Sequence, residues 1–172
     1  AIQLKSGYIA AYNNRGNALK DLGKLKEAVV CYNKAIQLKP DYAEVYSNRG
    51  LALQQLGQLV EAIENYDKAI QLKLDFAEAY YNRGSALLEL EQFAESKEST
   101  DRAIQLKPYF AEAYCNLGSV LKELGQLTEA VDQYDLAIQF KPEYADAYYN
   151  RGIVFECLGQ LAEALENYAL AI

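Results

Sequence analysis

The sequence contains no histidine, methionine or tryptophan, and only three prolines and three cysteines among its 172 residues. Each scarcity excludes something. Without an imidazole there is no Ser-His or Cys-His nucleophile pair and no HExxH zinc site. Cys31, Cys115 and Cys157 lie far apart with no CxxC pair, too few and too scattered for a four-cysteine zinc site. The sequence therefore offers no catalytic residue, no metal ligand set and no cofactor motif. An odd cysteine count argues against a disulfide framework and for a reducing, intracellular (cytoplasmic) setting. Three prolines and ten glycines favour long helices over a turn-rich β fold. No apolar run approaches the roughly 18 residues of a membrane helix, and no secretory signal stands at the N-terminus. The formal charge is −7, from 17 basic and 24 acidic residues, the opposite sign to a nucleic-acid footprint. Neither nucleic acid nor membrane is an expected partner. A first residue of Ala1 rather than Met is expected of a processed or excised piece of a longer chain.

What the chain does have is a repeat. Hydrophobic residues make up 51%, and fifteen are tyrosine. The hexapeptide Ala-Ile-Gln-Leu-Lys-Pro occurs at 35–40 and 103–108, with variants at 69–74 and 137–142, each 34 residues after the last. Gly16, Gly50, Gly84, Gly118 and Gly152 keep the same period, as do Tyr12, Tyr46, Tyr80, Tyr114 and Tyr148. Tyr32, Tyr66, Tyr134 and Tyr168 form a second column, and Tyr8, Tyr42, Phe76, Phe110 and Tyr144 a third. Most tyrosines thus read as packing residues. Within a period, Tyr46, Arg49, Gly50, Leu53 and Leu56 recur at helical spacing, Gly57 interrupts, and Ala62, Ile63, Tyr66, Ala69 and Ile70 give a second amphipathic helix. Pro40, Pro108 and Pro142 follow the second helices as stops. Small residues at Gly50, Ala62 and Ala69 predict close approach of the two helices.

These residues resemble the tetratricopeptide repeat: an aromatic, Leu-Gly, a further apolar residue, Ala, an aromatic, Ala and Pro. The fourth period supplies Tyr114, Leu117-Gly118, Leu121, Ala130, Tyr134, Ala137 and Pro142. The resemblance covers the whole chain. It implies an all-α, right-handed superhelical solenoid of antiparallel helix pairs with five 34-residue repeats. First helices would line a concave groove. The expected boundaries are 1–8 for the end of a preceding truncated repeat, then 9–42, 43–76, 77–110 (irregular), 111–144 and 145–172 (truncated), all one solenoid domain.

A helical wheel sends a second set of first-helix residues to the groove. Asn14, Asn48, Asn82, Asn116 and Asn150 place a carboxamide there in every repeat. An amide both donates and accepts, so it can pair with a peptide backbone whatever the side chains. The column resembles the asparagine ladder in the superhelical arm of O-linked N-acetylglucosamine transferases. An alternative stays open, in which each Asn bonds a neighbouring helix and holds the repeats together. Leu51, Tyr81, Leu88, Tyr149 and Ile153 add apolar contacts on the same face, and Glu44, Glu78, Glu112 and Asp146 edge it with acid. The carboxylate-clamp members of the family grip a chain terminus with Lys and Arg. Here those positions hold Asn13, Ser47, Tyr81, Cys115 or Tyr149 and the acidic column, which argues against such capture.

The expected function is a non-catalytic protein–protein interaction scaffold that binds an extended, neutral to basic peptide segment in the groove. Two rivals remain. The chain could be the recruiting arm of a larger enzyme such as a glycosyltransferase, or a scaffold that self-associates head to tail. Three further expectations concern departures from the pattern. Arg49, Arg83 and Arg151 would pair with the acids eight residues earlier, Asp41, Asp75 and Glu143, or reach carbonyls or carboxylates of adjacent helices. Ser96, Lys97, Ser99 and Thr100 would loosen the third repeat and could offer a modification site. Cys31 would face outward, and Cys115 and Cys157 the groove.

Overall fold

Each 34-residue period folds as two helices because its apolar residues keep helical spacing on either side of one left-handed turn residue. The computed structural model describes residues 2–172, with side chains from residue 8 onward. The helices are α1 (Ile2–Asp21), α2 (Leu25–Leu38), α3 (Ala43–Gln55), α4 (Leu59–Leu72), α5 (Ala77–Glu89), α6 (Phe93–Leu106), α7 (Ala111–Glu123), α8 (Leu127–Phe140), α9 (Ala145–Cys157) and α10 (Leu161–Leu170). Among the described residues there are no strands. From α2 onward, helices of like order begin 34 residues apart, at 25, 59, 93, 127 and 161, and at 43, 77, 111 and 145. The all-helical fold of consecutive packed pairs expected from the sequence is the fold observed. Of the segment expected to close a preceding repeat, Ala1 and the side chains of residues 2–7 lie outside the described residues. The backbone of α1 runs unbroken from Ile2.

The chain separates into two units, residues 1–90 and 91–172. In the first, Ala28, Tyr32 and Ala35 of α2 bury Val45 and Ala52 of α3, and Leu53, Ala62 and Tyr66 pack with Ala86. In the second, Leu117, Leu121, Ala130, Tyr134 and Ala137 enclose Ala147 and Val154 of α9. The wheel missed Val45, Ala52 and Val154, which are fully buried. It assumed one buried face per first helix. A first helix inside a stack is covered by its own second helix and also by that of the repeat before it.

The small residues act as expected. A Cβ placed on Gly50 would sit 2.6 Å from Cε1 of Tyr66, and one on Gly118 2.8 Å from Cε1 of Tyr134. Each glycine is the flat seat for a fully buried tyrosine ring.

The turn between paired helices takes φ near +75° at Gly57, Gly125 and Gly159, and +72° at Gly23. In the third repeat Glu91 holds that conformation, at φ 59°. A side chain there costs roughly 1–2 kcal/mol, against a glycine entropy penalty of about 0.5–1 kcal/mol. Glu91→Gly is expected to stabilise the chain by about 0.5–1 kcal/mol, measured as a raised urea midpoint.

The polar second helix of that repeat is better satisfied than its sequence suggests. Ser96 and Thr100 are fully buried and Ser99 nearly so. The Thr100 hydroxyl donates to Asn116 Oδ1 at 2.9 Å. Among the described residues no buried side-chain nitrogen or oxygen lacks a partner. Burial removes all three hydroxyls from reach of a modifying enzyme, which corrects the modification-site expectation.

Candidate functional site

The asparagine column connects consecutive first helices. In the first unit, Asn48 Nδ2 donates to Asn13 Oδ1 at 3.0 Å, and Asn82 Nδ2 donates to Ser47 Oγ at 3.5 Å. In the second, Asn150 Nδ2 approaches Cys115 Sγ at 3.8 Å. In all three the partner lies 35 residues earlier. Helical pitch places each Asn beside the residue just before its counterpart in the preceding repeat. The inter-repeat reading therefore has direct support. It leaves the amide carbonyls as the groups with which Asn48, Asn82 and Asn150 could meet a ligand. Asn14 is exposed, and the other four are half-buried.

Within each unit, tyrosine hydroxyls of the second helices reach first-helix side chains. Tyr32 OH donates to Asn17 Oδ1 at 2.8 Å, Tyr66 OH to Gln54 Oε1 at 2.7 Å and Tyr168 OH to Glu156 Oε2 at 2.8 Å. Tyr134 OH and Ser119 Oγ are 3.1 Å apart. Gln54 in turn donates to Ser85 at 3.3 Å and to Glu89. These first-helix side chains are thus held by tyrosine hydroxyls, those of Tyr32, Tyr66 and Tyr134 on rings buried in the core. Burial, with Asp21 adding to it, pushes the Tyr32 phenol up to about 12. The hydrogen bond to Glu156 pushes Tyr168 up to about 12. Burial raises Tyr66 and Tyr134 as well. A raised phenol favours the folded state while it stays protonated. That stability is fully present below the ordinary value of 10.0 and is lost as pH climbs through about 12. Urea denaturation at pH 9, 10 and 11 is expected to show a falling midpoint above pH 10.

Arginines make the second inter-repeat connection. Arg49 Nε donates to Asn65 Oδ1 at 2.6 Å and Nη1 to Asn33 Oδ1 at 2.7 Å. Arg151 Nε donates to Asn167 Oδ1 at 2.7 Å and Nη1 to Asp135. Arg83 Nε donates to Asp67 Oδ1 at 2.6 Å. Arg49 and Arg151 each bind sixteen residues forward, on their own second helix, and sixteen back, on the preceding one. The adjacent-helix expectation holds, whereas the acids eight residues earlier, Asp41, Asp75 and Glu143, are all exposed. Those acids sit in the loop, beyond the rung where the guanidinium lies. Leu117 has no fork to offer. Asp101, sixteen residues before it, takes Lys97 Nζ instead, at 2.8 Å. Lys97, which looked like a defect in the sequence, supplies the cation that Leu117 removes.

Of the apolar residues expected on the face, Tyr149 is 55% exposed. Leu51, Tyr81, Leu88 and Ile153 are half-buried. The acidic edge is partly neutralised. Glu44 pairs with Lys73 at 3.6 Å, and Glu112 with Lys141 at 2.8 Å. The Lys141 hydrogen bond holds the Glu112 carboxyl below its usual range. Glu78 is exposed. Cys31 is buried, contrary to its expected outward position, because the wheel omitted the cover given by α1; Cys115 is buried and Cys157 exposed. Burial pushes the Cys115 thiol up, away from the reactive thiolate.

The sequence reading missed the acceptors Asn13, Ser47 and Cys115 and the Arg partners Asn33, Asn65, Asp67, Asp135 and Asn167. Their signal is present: polar residues recur at offsets of 35 and 16 from the Asn and Arg columns.

These paired helices, with glycine-seated tyrosines and a polar face built from first helices, define a repeat scaffold. Tetratricopeptide-repeat models match residues 16–57, 54–91, 77–110, 100–132 and 118–159, and the chain belongs to the tetratricopeptide-repeat family. No curated protein matches the chain. Among solved structures, MamA is 29% identical, covers 91% of this chain and 91% of its own, and superposes with a TM-score of 0.78. YrrB, described as a TPR protein with an unusual peptide-binding site, is 29% identical over 94% of this chain and 83% of its own, TM-score 0.72. PilF of Pseudomonas aeruginosa is 20% identical over 97% of this chain and 76% of its own, TM-score 0.89, a likeness of fold alone.

Proposed function

We propose that this repeat scaffold for protein interaction holds an extended peptide segment, neutral to basic, along the face made by its first helices. The chain itself carries out no chemistry. The observation that carries the reading is the periodic polar face. Asn48 and Asn82 in one unit and Asn150 in the other use their N–H groups between helices. In the first unit the Asn48 and Asn82 carbonyls stand one repeat apart, as acceptors for the N–H groups of an extended backbone. Leu51, Leu88, Tyr149 and Ile153 supply apolar contacts beside them, where partly exposed aromatics commonly dominate binding. The likeness to YrrB favours a peptide as the occupant. The net charge of −7 favours a segment that is not acidic.

The test starts from peptides selected on the parent protein from a displayed library of random extended sequences. Their affinity is then measured on the variant carrying Asn48→Ala, Asn82→Ala and Asn150→Ala. The expected result is weakening by about tenfold or more, the equivalent of one to two hydrogen bonds, in protein that stays folded. A folded triple variant that binds as the parent does would reject the ladder and leave the column with its structural role alone.

A further inference from the structure

Two polar rungs join α3 to α5 in the first unit. Asn82 donates to Ser47, and two turns further along both helices Gln54 Nε2 donates to Ser85 Oγ and to Glu89 Oε1. Helical spacing therefore sets Asn82, Ser85 and Glu89 in one strip of α5, and Ser47, Leu51 and Gln54 in one strip of α3. Glu89 stands roughly 10 Å beyond Asn82 along the helix axis. The orientation of Gln54 is fixed. The Tyr66 hydroxyl, on a fully buried ring, donates to Gln54 Oε1 at 2.7 Å and so turns the amide N–H groups toward α5. Glu89 is exposed. Its column also holds Asp21 and Glu123, each paired with the lysine just before it, Lys20 at 3.1 Å and Lys122 at 2.9 Å. Leu88 precedes Glu89, and among the described residues no lysine or arginine pairs with that carboxylate.

An exposed carboxylate, oriented by a neighbour and neutralised by none, is the group that receives a cation from a bound segment. Gln54 already occupies Oε1. What remains suits the single point charge of an ammonium better than the two-pronged fork of a guanidinium. Half-buried Leu51, one turn before Gln54, gives an apolar rest to a lysine stem. A lysine whose backbone meets Asn82 can carry its ammonium along the strip, the two long side chains covering the roughly 10 Å between them. We propose that Glu89, positioned by Gln54, receives a lysine side chain of the segment held on the first-helix face, and so sets a lysine at one position of that segment. The proposal rests on the peptide-binding reading above and gives it a specificity element.

The test uses peptides selected on the parent protein from a displayed random library. Each lysine of the tightest peptide is replaced in turn by norleucine, and affinities are measured by calorimetry on the parent, Glu89→Gln and Gln54→Ala. On the parent, norleucine at one position is expected to weaken binding about fivefold. On Glu89→Gln that ratio is expected to fall to about one, while the norleucine peptide binds as it does to the parent. Gln54 is a positioning residue, so Gln54→Ala is expected to shrink the ratio to about twofold and to leave the norleucine peptide unchanged. Equal weakening of both peptides on Gln54→Ala would overturn the positioning role. Selected peptides that lack lysine, or a lysine preference as strong on Glu89→Gln as on the parent, would overturn the proposal itself. Failure of the peptide-binding reading shows separately in the triple-asparagine experiment.

Discussion

Replacing Tyr66 by alanine is expected to cost about 3–5 kcal/mol, the largest loss from any single substitution considered. The ring is fully buried against the bare Cα of Gly50, in a seat no other residue can fill. Removing it empties that seat and leaves Gln54 Oε1 without the 2.7 Å hydrogen bond that fixes it. Tyr66→Phe keeps the ring and removes only the hydroxyl, so its cost should fall near 1 kcal/mol. Equilibrium urea denaturation of the two variants separates packing from hydrogen bonding. The loss is expected to spread beyond the second repeat, because α4 also covers α5.

Arg49→Ala is expected to cost about 2–3 kcal/mol, and Arg49→Lys nearly as much. The guanidinium fork satisfies Asn65 and Asn33 together, on the second helices of two repeats. Alanine strands both carboxamide oxygens in a partly desolvated interface, where an unmet acceptor costs about 1–3 kcal/mol. Lysine brings the charge without the planar two-way geometry. Burial lowers the Arg49 pKa from its ordinary value. A double-mutant cycle with Asn33→Ala isolates the inter-repeat half of the fork. A coupling near zero would show that the fork adds nothing to the other contacts that join the two repeats.

Much of the fold could be read before the structure, because repetition multiplies a weak signal. One helix-turn-helix pattern is ambiguous, whereas five copies in register fix period, helix number and turn position. The glycine seats were legible for the same reason: Gly50 and Tyr66 belong to columns that recur together. The contacts that join one repeat to the next were not legible. A helical wheel treats a helix as having one inside and one outside. It therefore placed Ser47 among the open groove residues, whereas Ser47 is 4% exposed and accepts from Asn82. Of the two arginine expectations, the pairing with acids eight residues earlier failed through locality. Nearby acids looked like partners, but the fork reaches across the stack to residues sixteen positions away in each direction. Lys97 is the instructive residue. It breaks the apolar pattern of its own helix, and its reason lies at Leu117, in the next repeat.

The central claim is that a peptide lies on the first-helix face. Photo-crosslinking tests it most directly. A benzophenone is placed at position 51 or 88 on that face, or at Val30 or Val60, which are 59% and 60% exposed on second helices. Each labelled protein is irradiated with a library-selected peptide. The account predicts adducts from positions 51 and 88 and none above background from 30 and 60. Adducts from the second-helix positions, with positions 51 and 88 silent, would contradict it.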